Sequence, residues 1–243
     1  MQSFLEGIIN KKQVAILIDP EKIQSIDQLD YLVRKIEFSK ASYIFVGGST
    51  VNPLDFSDVI SRIKSTTSIP VIIFPGSSNQ VSNDADGILL LNLISGRNPD
   101  FLITHHVQAA EFLDKSNLEI ISTSYLLIDG GSQSSVAYVS QTTPIPHHNH
   151  SIVYKTALAG KQIGHKVIFL DAGSGAQNAV QPDLVQTLVK LGQPIIVGGG
   201  IRSLEQIKNL HDAGANLVVI GNKIEEDIDF LLEIHSYSNN LMI

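Results

Sequence analysis

A chain of 243 residues with 43% hydrophobic and 6% aromatic content can bury one sizeable core, built chiefly from Val, Ile, Leu and Ala. The formal net charge of −7 argues against a nucleic-acid partner, whose phosphate backbone demands a basic surface, and leaves small phosphorylated ligands open. Having no cysteine, the chain has no disulfide, zinc–thiolate centre or thiol nucleophile.

Apolar, β-branched runs predict eight strands at 14–19, 43–46, 71–74, 87–92, 119–128, 166–171, 194–197 and 216–220. Most end in Gly, Asp or Asn. Ser25 caps a predicted helix over 26–38, where Leu29, Leu32, Val33 and Ile36 recur at helical spacing. Further helices are expected over 53–64, 99–115, 152–163 and 182–191, then 203–211 and 223–234. Pro53 and Pro182 stand where helix starts favour proline. This alternation describes a single (β/α)8 TIM barrel over residues 1–243. Two intervals break the pattern. Residues 75–86 are too short and polar for a barrel helix, so helix 3 is expected to be missing or replaced by a loop, leaving a gap through which a long ligand could pass. Residues 129–150 show no periodicity and read as a long functional loop. The first dozen residues lack a basic stretch leading into an apolar one, and no apolar run nears the roughly 20 residues of a membrane helix. A soluble cytoplasmic enzyme is the expectation.

Candidate chemistry gathers at the strand ends, where barrel active sites lie. Asp19 closes strand 1 within Ile18-Asp19-Pro20-Glu21-Lys22 and could hold a hard cation such as Mg2+, or simply open a turn. Strand 2 ends in Gly47-Gly48-Ser49-Thr50, where a hydroxyl could join the same metal, bind a diphosphate oxygen or form a turn. Strand 6 ends in Asp171-Ala172-Gly173-Ser174-Gly175-Ala176, offering donors around one acceptor, Asp171, suited to a hydroxyl that must lose its proton. Val197-Gly198-Gly199-Gly200-Ile201-Arg202 and, about twenty residues on, Ile220-Gly221-Asn222 are two glycine stops, each followed by a helical pattern. Such a pair describes the phosphate cradle after strands 7 and 8 of a barrel, with glycine amides and helix N-termini facing the anion. His147-His148-Asn149-His150 resembles a metal cluster but has no separated partner motif, and His105-His106 read as a solvated or capping pair.

Taken in order, Ile18-Asp19-Pro20-Glu21-Lys22, Val46 to Thr50, Phe74-Pro75-Gly76-Ser77, Tyr138 to Pro146, Phe169 to Ala176, Val197 to Ile201 and Gly221-Asn222 resemble the geranylgeranylglyceryl phosphate synthase family, which includes the bacterial heptaprenylglyceryl phosphate synthases. The resemblance spans nearly the whole chain. It implies a barrel without the usual third helix, and transfer of a polyprenyl group, geranylgeranyl first among them, from its diphosphate to the C3 hydroxyl of sn-glycerol 1-phosphate. It also implies Mg2+ held by Asp19 and Ser49, and glycerol phosphate surrounded by Leu170, Asp171, Ala172, Gly173, Ser174, Gly175, Ala176, Gly199, Gly200, Gly221 and Asn222. A homo-oligomer is implied too, and the lipid product suggests transient contact with a membrane surface. The family's Tyr-x-Glu at strand 6 is replaced here by Phe169-Leu170-Asp171, a lost phenol and a shorter carboxylate. Two other readings of the residues are a phosphosugar isomerase on a similar barrel and a non-catalytic phosphometabolite-binding protein.

Overall fold

Each β-branched run pairs in parallel with the next, and β8 returns to β1, closing the ring β1 (Gln13–Ile18), β2 (Tyr43–Val46), β3 (Val71–Ile73), β4 (Gly87–Asn92), β5 (Glu119–Leu127), β6 (Val167–Asp171), β7 (Ile195–Gly198) and β8 (Leu217–Ile220). The computed structural model describes residues 3–48 and 56–241. All eight predicted strands form, with each end within a residue of its expected place.

Alternate residues of every strand face opposite ways, so each strand feeds two cores. The inward residues, among them Ala15, Phe45, Ile72, Leu89, Ile121, Phe169, Ile196 and Leu217, fill the barrel. Outward residues such as Ile16, Ile44, Ile88, Leu170 and Val218 form the layer between sheet and helices. A short helix that sequence periodicity misses, α1 (Phe4–Ile8), plugs the N-terminal end: Phe4 and Ile8 are buried in the inner core, and Glu119 accepts the Leu5 N–H at 3.2 Å. Five residues are too few to display a helical period.

The outer helices are α2 (Ile26–Ser39), α3 (Phe56–Thr66), α4 (His105–Lys115), α5 (Ser135–Ser140), α6 (His150–Gln162), α7 (Pro182–Val189), α8 (Leu204–Asp212), α9 (Asn222–Glu226) and α10 (Phe230–Leu241). Ser25 caps α2, as expected, by accepting the Gln28 N–H at 3.2 Å. A π-helical turn, Asp100–Thr104, leads into α4. The start of the helix predicted from Pro53 lies outside the described residues. Three expectations need correction. The stretch 129–150 is not all loop, because Ser134 caps α5 and Ile145 bridges in parallel to Ile128. The helix expected over 223–234 is two, α9 and α10, broken around Asp227–Asp229, where the Asp227 carboxylate accepts the Asp229 N–H at 3.2 Å. And α6 begins at His150, capped by Asn149, which places the end of the histidine run in a helix rather than a loop. Between β3 and β4 every residue is described and none is helical, so helix 3 is replaced by a loop. Among the described residues, no helix is long and apolar enough to cross a membrane.

At the barrel floor the His211 ring joins Tyr237 OH (2.6 Å) to the Gln13 carbonyl (2.9 Å), tying α8 and α10 to β1. Burial pushes its pKa down to about 4. Because the folded pKa lies below the unfolded one, the unfolded chain binds the extra proton, and stability is lost as pH falls from about 6.5 towards 4. We expect melting temperature to drop over that window, by an amount equivalent to roughly 3 kcal/mol at most, and His211→Gln to flatten the drop. An equal drop in the variant would assign it to other groups.

Candidate active site

The barrel's C-terminal mouth opens into a cavity of about 300 Å3 with a polar end and an apolar end. The polar end is built where β1, β2, β6, β7 and β8 stop. Asp171, an inward residue of β6, is 7% exposed yet lines the cavity. Its Oδ1 accepts the Gly173 N–H at 2.7 Å and its Oδ2 accepts the Tyr125 hydroxyl. Burial raises its pKa above the ordinary carboxylate value, while these two donors pull it back down.

The glycine turn after β7 is packed against this carboxylate. Gly199 and Gly200 sit at φ +80° and +69°, and a Cβ at Gly199 would come within 2.6 Å of Asp171 Oδ1 and of the Gly173 nitrogen. Only glycine fits. The helix that follows differs from expectation: α8 starts at Leu204 with a capping box, in which Ser203 Oγ accepts the Gln206 N–H (3.2 Å) and Gln206 Oε1 accepts the Ser203 and Arg202 N–H groups (3.1 and 2.7 Å). Two of its N-terminal donors, the Ser203 and Gln206 N–H groups, are therefore used within the chain, and Gly199 and Gly200 line the cavity ahead of it. After β8 the turn leads into the five-residue α9. Gly221 stands at the head of α9 with no side-chain cap, and Gly221, Asn222 and Lys223 line the mouth. Asn222 Oδ1 accepts from Ser174 Oγ (3.2 Å) and the Gly175 N–H (3.1 Å), clasping the β6 loop to α9.

Of the residues singled out in the sequence, Asp19, Asp171, Ser174, Gly175, Ala176, Gly199, Gly200, Gly221 and Asn222 line one cavity. Leu170 does not: it is an outward residue of β6, in the layer beneath the helices. Ala172 and Gly173 stand behind Asp171, where Gly173 serves through its amide. Ser49 and Thr50 lie outside the described residues.

Asp19 caps the helical turn Pro20–Lys22 by accepting the Glu21 N–H at 3.1 Å, so the turn reading of the sequence holds alongside the cavity position. It is half-buried, and burial, then the nearby carboxylates of Glu21 and Glu225, raise its pKa. Gly48 has no side chain to cover it: a Cβ there would come within 2.7 Å of Asp19 Oδ1. An uncovered carboxylate among like charges is a fitting donor for a hard cation. Among the described residues no three His, Asp or Glu side chains converge as a metal site.

The apolar end leaves the barrel sideways. Leu89 and Leu91 bound it from inside β4, and Ile88 and Leu90 from the outer face of the same strand, across which Val81, Ala109 and Leu113 stand opposite. The channel reaches both faces of β4, and the α4 residues Ala109 and Leu113 form its far wall. Three residues that matter here were missed in the sequence. Gln80, almost wholly buried, takes the Gly76 N–H at 2.8 Å and donates to the Gly48 carbonyl at 3.1 Å, pinning the helix-free loop to the mouth. His106 bonds the Leu91 carbonyl at 2.8 Å and lines the cavity with His105, so the pair is more than a solvated cap. Tyr125 is a phenol at an inward position of β5, two residues from the strand end, a signal that alternation alone could have given.

The model of the PcrB family matches residues 7–236. The chain belongs to that family. It is 48% identical over 231 residues to a geranylgeranylglyceryl phosphate synthase of Flavobacterium johnsoniae, covering 94% of this chain and 95% of the relative, and 36% identical over 231 residues to that of Korarchaeum cryptofilum, covering 94% and 93%. The crystal structure of (S)-3-O-geranylgeranylglyceryl phosphate synthase from Thermoplasma acidophilum, in complex with its substrate sn-glycerol-1-phosphate, superimposes with a TM-score of 0.89 at 31% identity, covering 97% of this chain and 96% of that one. The family resemblance seen in the motifs and the helix-poor barrel thus agree.

Proposed function

We propose that this chain transfers a polyprenyl group, geranylgeranyl, from its diphosphate to the C3 hydroxyl of sn-glycerol 1-phosphate, forming an ether-lipid precursor. One observation carries the reading: a single cavity joins glycine turns and a buried carboxylate to an apolar channel that leaves through the missing helix. A phosphosugar isomerase would have no use for that channel. The relatives named as geranylgeranylglyceryl phosphate synthases support it, as does the sn-glycerol-1-phosphate bound in the Thermoplasma acidophilum enzyme.

In this reading the amides at Gly199–Gly200 and Gly221–Asn222 hold the phosphate, fixing the glycerol so that its C3 hydroxyl faces the allylic carbon. The hydroxyl oxygen bonds to C1 of the prenyl chain, the C1–O bond to diphosphate breaks, and diphosphate leaves with the electron pair. Asp171 takes the hydroxyl proton. Asp19, with Ser49 as the family resemblance implies, would hold Mg2+, which would supply charge neutralisation for the leaving diphosphate. Ile88, Leu90, Ala109 and Leu113 shelter the tail. Val139 lines the channel and is itself exposed beside Tyr138, which gives the lipid product an apolar path to a membrane surface. We place the enzyme in the cytoplasm as a homo-oligomer, following the family resemblance.

Incubation with radiolabelled glycerol 1-phosphate, Mg2+ and prenyl diphosphates from farnesyl to heptaprenyl should yield a labelled, solvent-extractable ether, most rapidly with geranylgeranyl diphosphate. No extractable product with any of them would end the reading. Gly221→Val should raise the KM for glycerol phosphate at least about tenfold, a loss of roughly 1.4 kcal/mol. A Cβ at 221 comes no closer than 3.5 Å to the residues packed around it, Leu17 nearest, and a melting curve of the variant separates an effect on the ligand from one on the fold. Gly199→Val, by contrast, would collide with Asp171 and report on folding. An unchanged KM in a well-folded Gly221→Val chain would remove the cradle assignment.

A further inference from the structure

Because position 169 is phenylalanine, β6 brings a carboxylate but no hydroxyl to the mouth. A hydroxyl at that level comes from the neighbouring strand. Tyr125 is the register partner of Phe169 on the β5–β6 ladder. Its ring meets Phe169 edge-on at 5.6 Å and Phe74 edge-on at 6.0 Å, a packing that leaves its direction little freedom. All three rings line the cavity, and the phenol donates to Asp171 Oδ2.

The two oxygens of Asp171 are thus held from two strands' worth of structure: Oδ1 by the Gly173 amide from the loop after β6, and Oδ2 by Tyr125 from β5. Two donors on a buried carboxylate favour its ionised form and fix its plane, and they leave lone pairs for one further donor from the cavity. Burial and the adjacent carboxylate raise the phenol's pKa well above its ordinary value, so Tyr125 keeps its proton and acts only as a donor.

We propose that Tyr125 is a positioning residue for prenyl transfer, donating to Asp171 Oδ2 so that the carboxylate stays ionised and turned towards the acceptor hydroxyl. This rests on the prenyl-transfer reading. The phenol touches the reaction through Asp171, and the phosphate turns at Gly199–Gly200 and Gly221–Asn222 lie outside its contacts.

Tyr125→Phe removes one oxygen and keeps the ring. Its kcat should fall about 10- to 100-fold, while the KM for glycerol phosphate stays within about threefold of wild type. Combined with Asp171→Asn it should be no slower than Asp171→Asn alone, because a group that acts through another has nothing left to act on. A kcat within about twofold of wild type, a rise in KM at unchanged kcat, or independent multiplying losses in the double variant would each overturn the proposal. If Tyr125→Phe is too unstable to assay, 3-fluorotyrosine at 125 keeps the shape and strengthens the donor. The acid limb of kcat should then move to lower pH, and an unmoved limb would overturn the proposal. Among the described residues, the ionisable group acting on Asp171 is Tyr125 itself, so a displacement of that limb on fluorination reports on this pair. Wild-type turnover measured alongside tests the parent reading: absent turnover ends both, while losses confined to the variants speak to Tyr125.

Discussion

Asp171→Asn lowers kcat by about 10²- to 10⁴-fold and leaves the KM for glycerol phosphate nearly unchanged, the range expected when a general base is removed. The amide keeps the size of the side chain: its one oxygen can still accept the Gly173 N–H, and its NH2 group then faces the Tyr125 oxygen, which can accept in turn. It cannot take up a proton. Asp171→Glu keeps a carboxylate and retains more activity than Asp171→Asn. Since burial raises the pKa of Asp171 and the group must be ionised to accept, wild-type kcat declines on the acid side through a value above the ordinary carboxylate range. If Asp171 only braced the β6 loop, both substitutions would lower the melting temperature and spare kcat. Steady-state kinetics with a melting curve for each variant separates the two, and near-normal kcat in Asp171→Asn removes the general base.

Asp19→Asn should cost about a hundredfold in activity at low Mg2+ and recover in part as Mg2+ is raised. Asparagine still accepts the Glu21 N–H and keeps the Pro20–Lys22 turn, so the loss reads the charge rather than the turn. Removing that charge leaves Glu21 and Glu225 as the nearby carboxylates. A fully active variant at low Mg2+, or wild-type turnover in excess EDTA, would rule out Asp19 as a metal ligand.

What could be read from the sequence, and what could not, divides along a physical line. The strands were legible because each is a short β-branched run with Gly, Asp or Asn close behind it, and a parallel barrel buries both faces of such runs. The absence of a helix after β3 was legible too, since residues 75–86 carry too few apolar side chains to bury one. The shortest helices were harder. α1 and α5 are each shorter than two helical turns, so no period could show, and their capping serines, Ser3 and Ser134, look like any loop serine. At the site, glycines and aspartates at strand ends could be found by position. The capping box at Ser203–Gln206 was visible in principle, but its consequence, that the Ser203 and Gln206 N–H groups are used within the chain, required knowing that the helix starts at Leu204. The bond from Tyr125 to Asp171 joins residues 46 apart and depends on the register of β5 on β6, which no local pattern fixes.

The loop that stands in for helix 3 bears on the thermodynamics of folding as well as on the site. Seven gaps between neighbouring strands are spanned by helical segments, whereas the outer face of β4 at Ile88 and Leu90 meets a channel wall formed by Val81, Ala109 and Leu113. A hydrocarbon tail lying there would cover what a helix covers elsewhere, so the ligand would complete the protein's own apolar layer. Binding and folding would then be linked: a chain bearing a prenyl diphosphate should melt higher than the free one, in proportion to the logarithm of ligand concentration over its dissociation constant. By the same linkage, β4 and α4 would exchange their amide hydrogens faster in the free chain than in the occupied one.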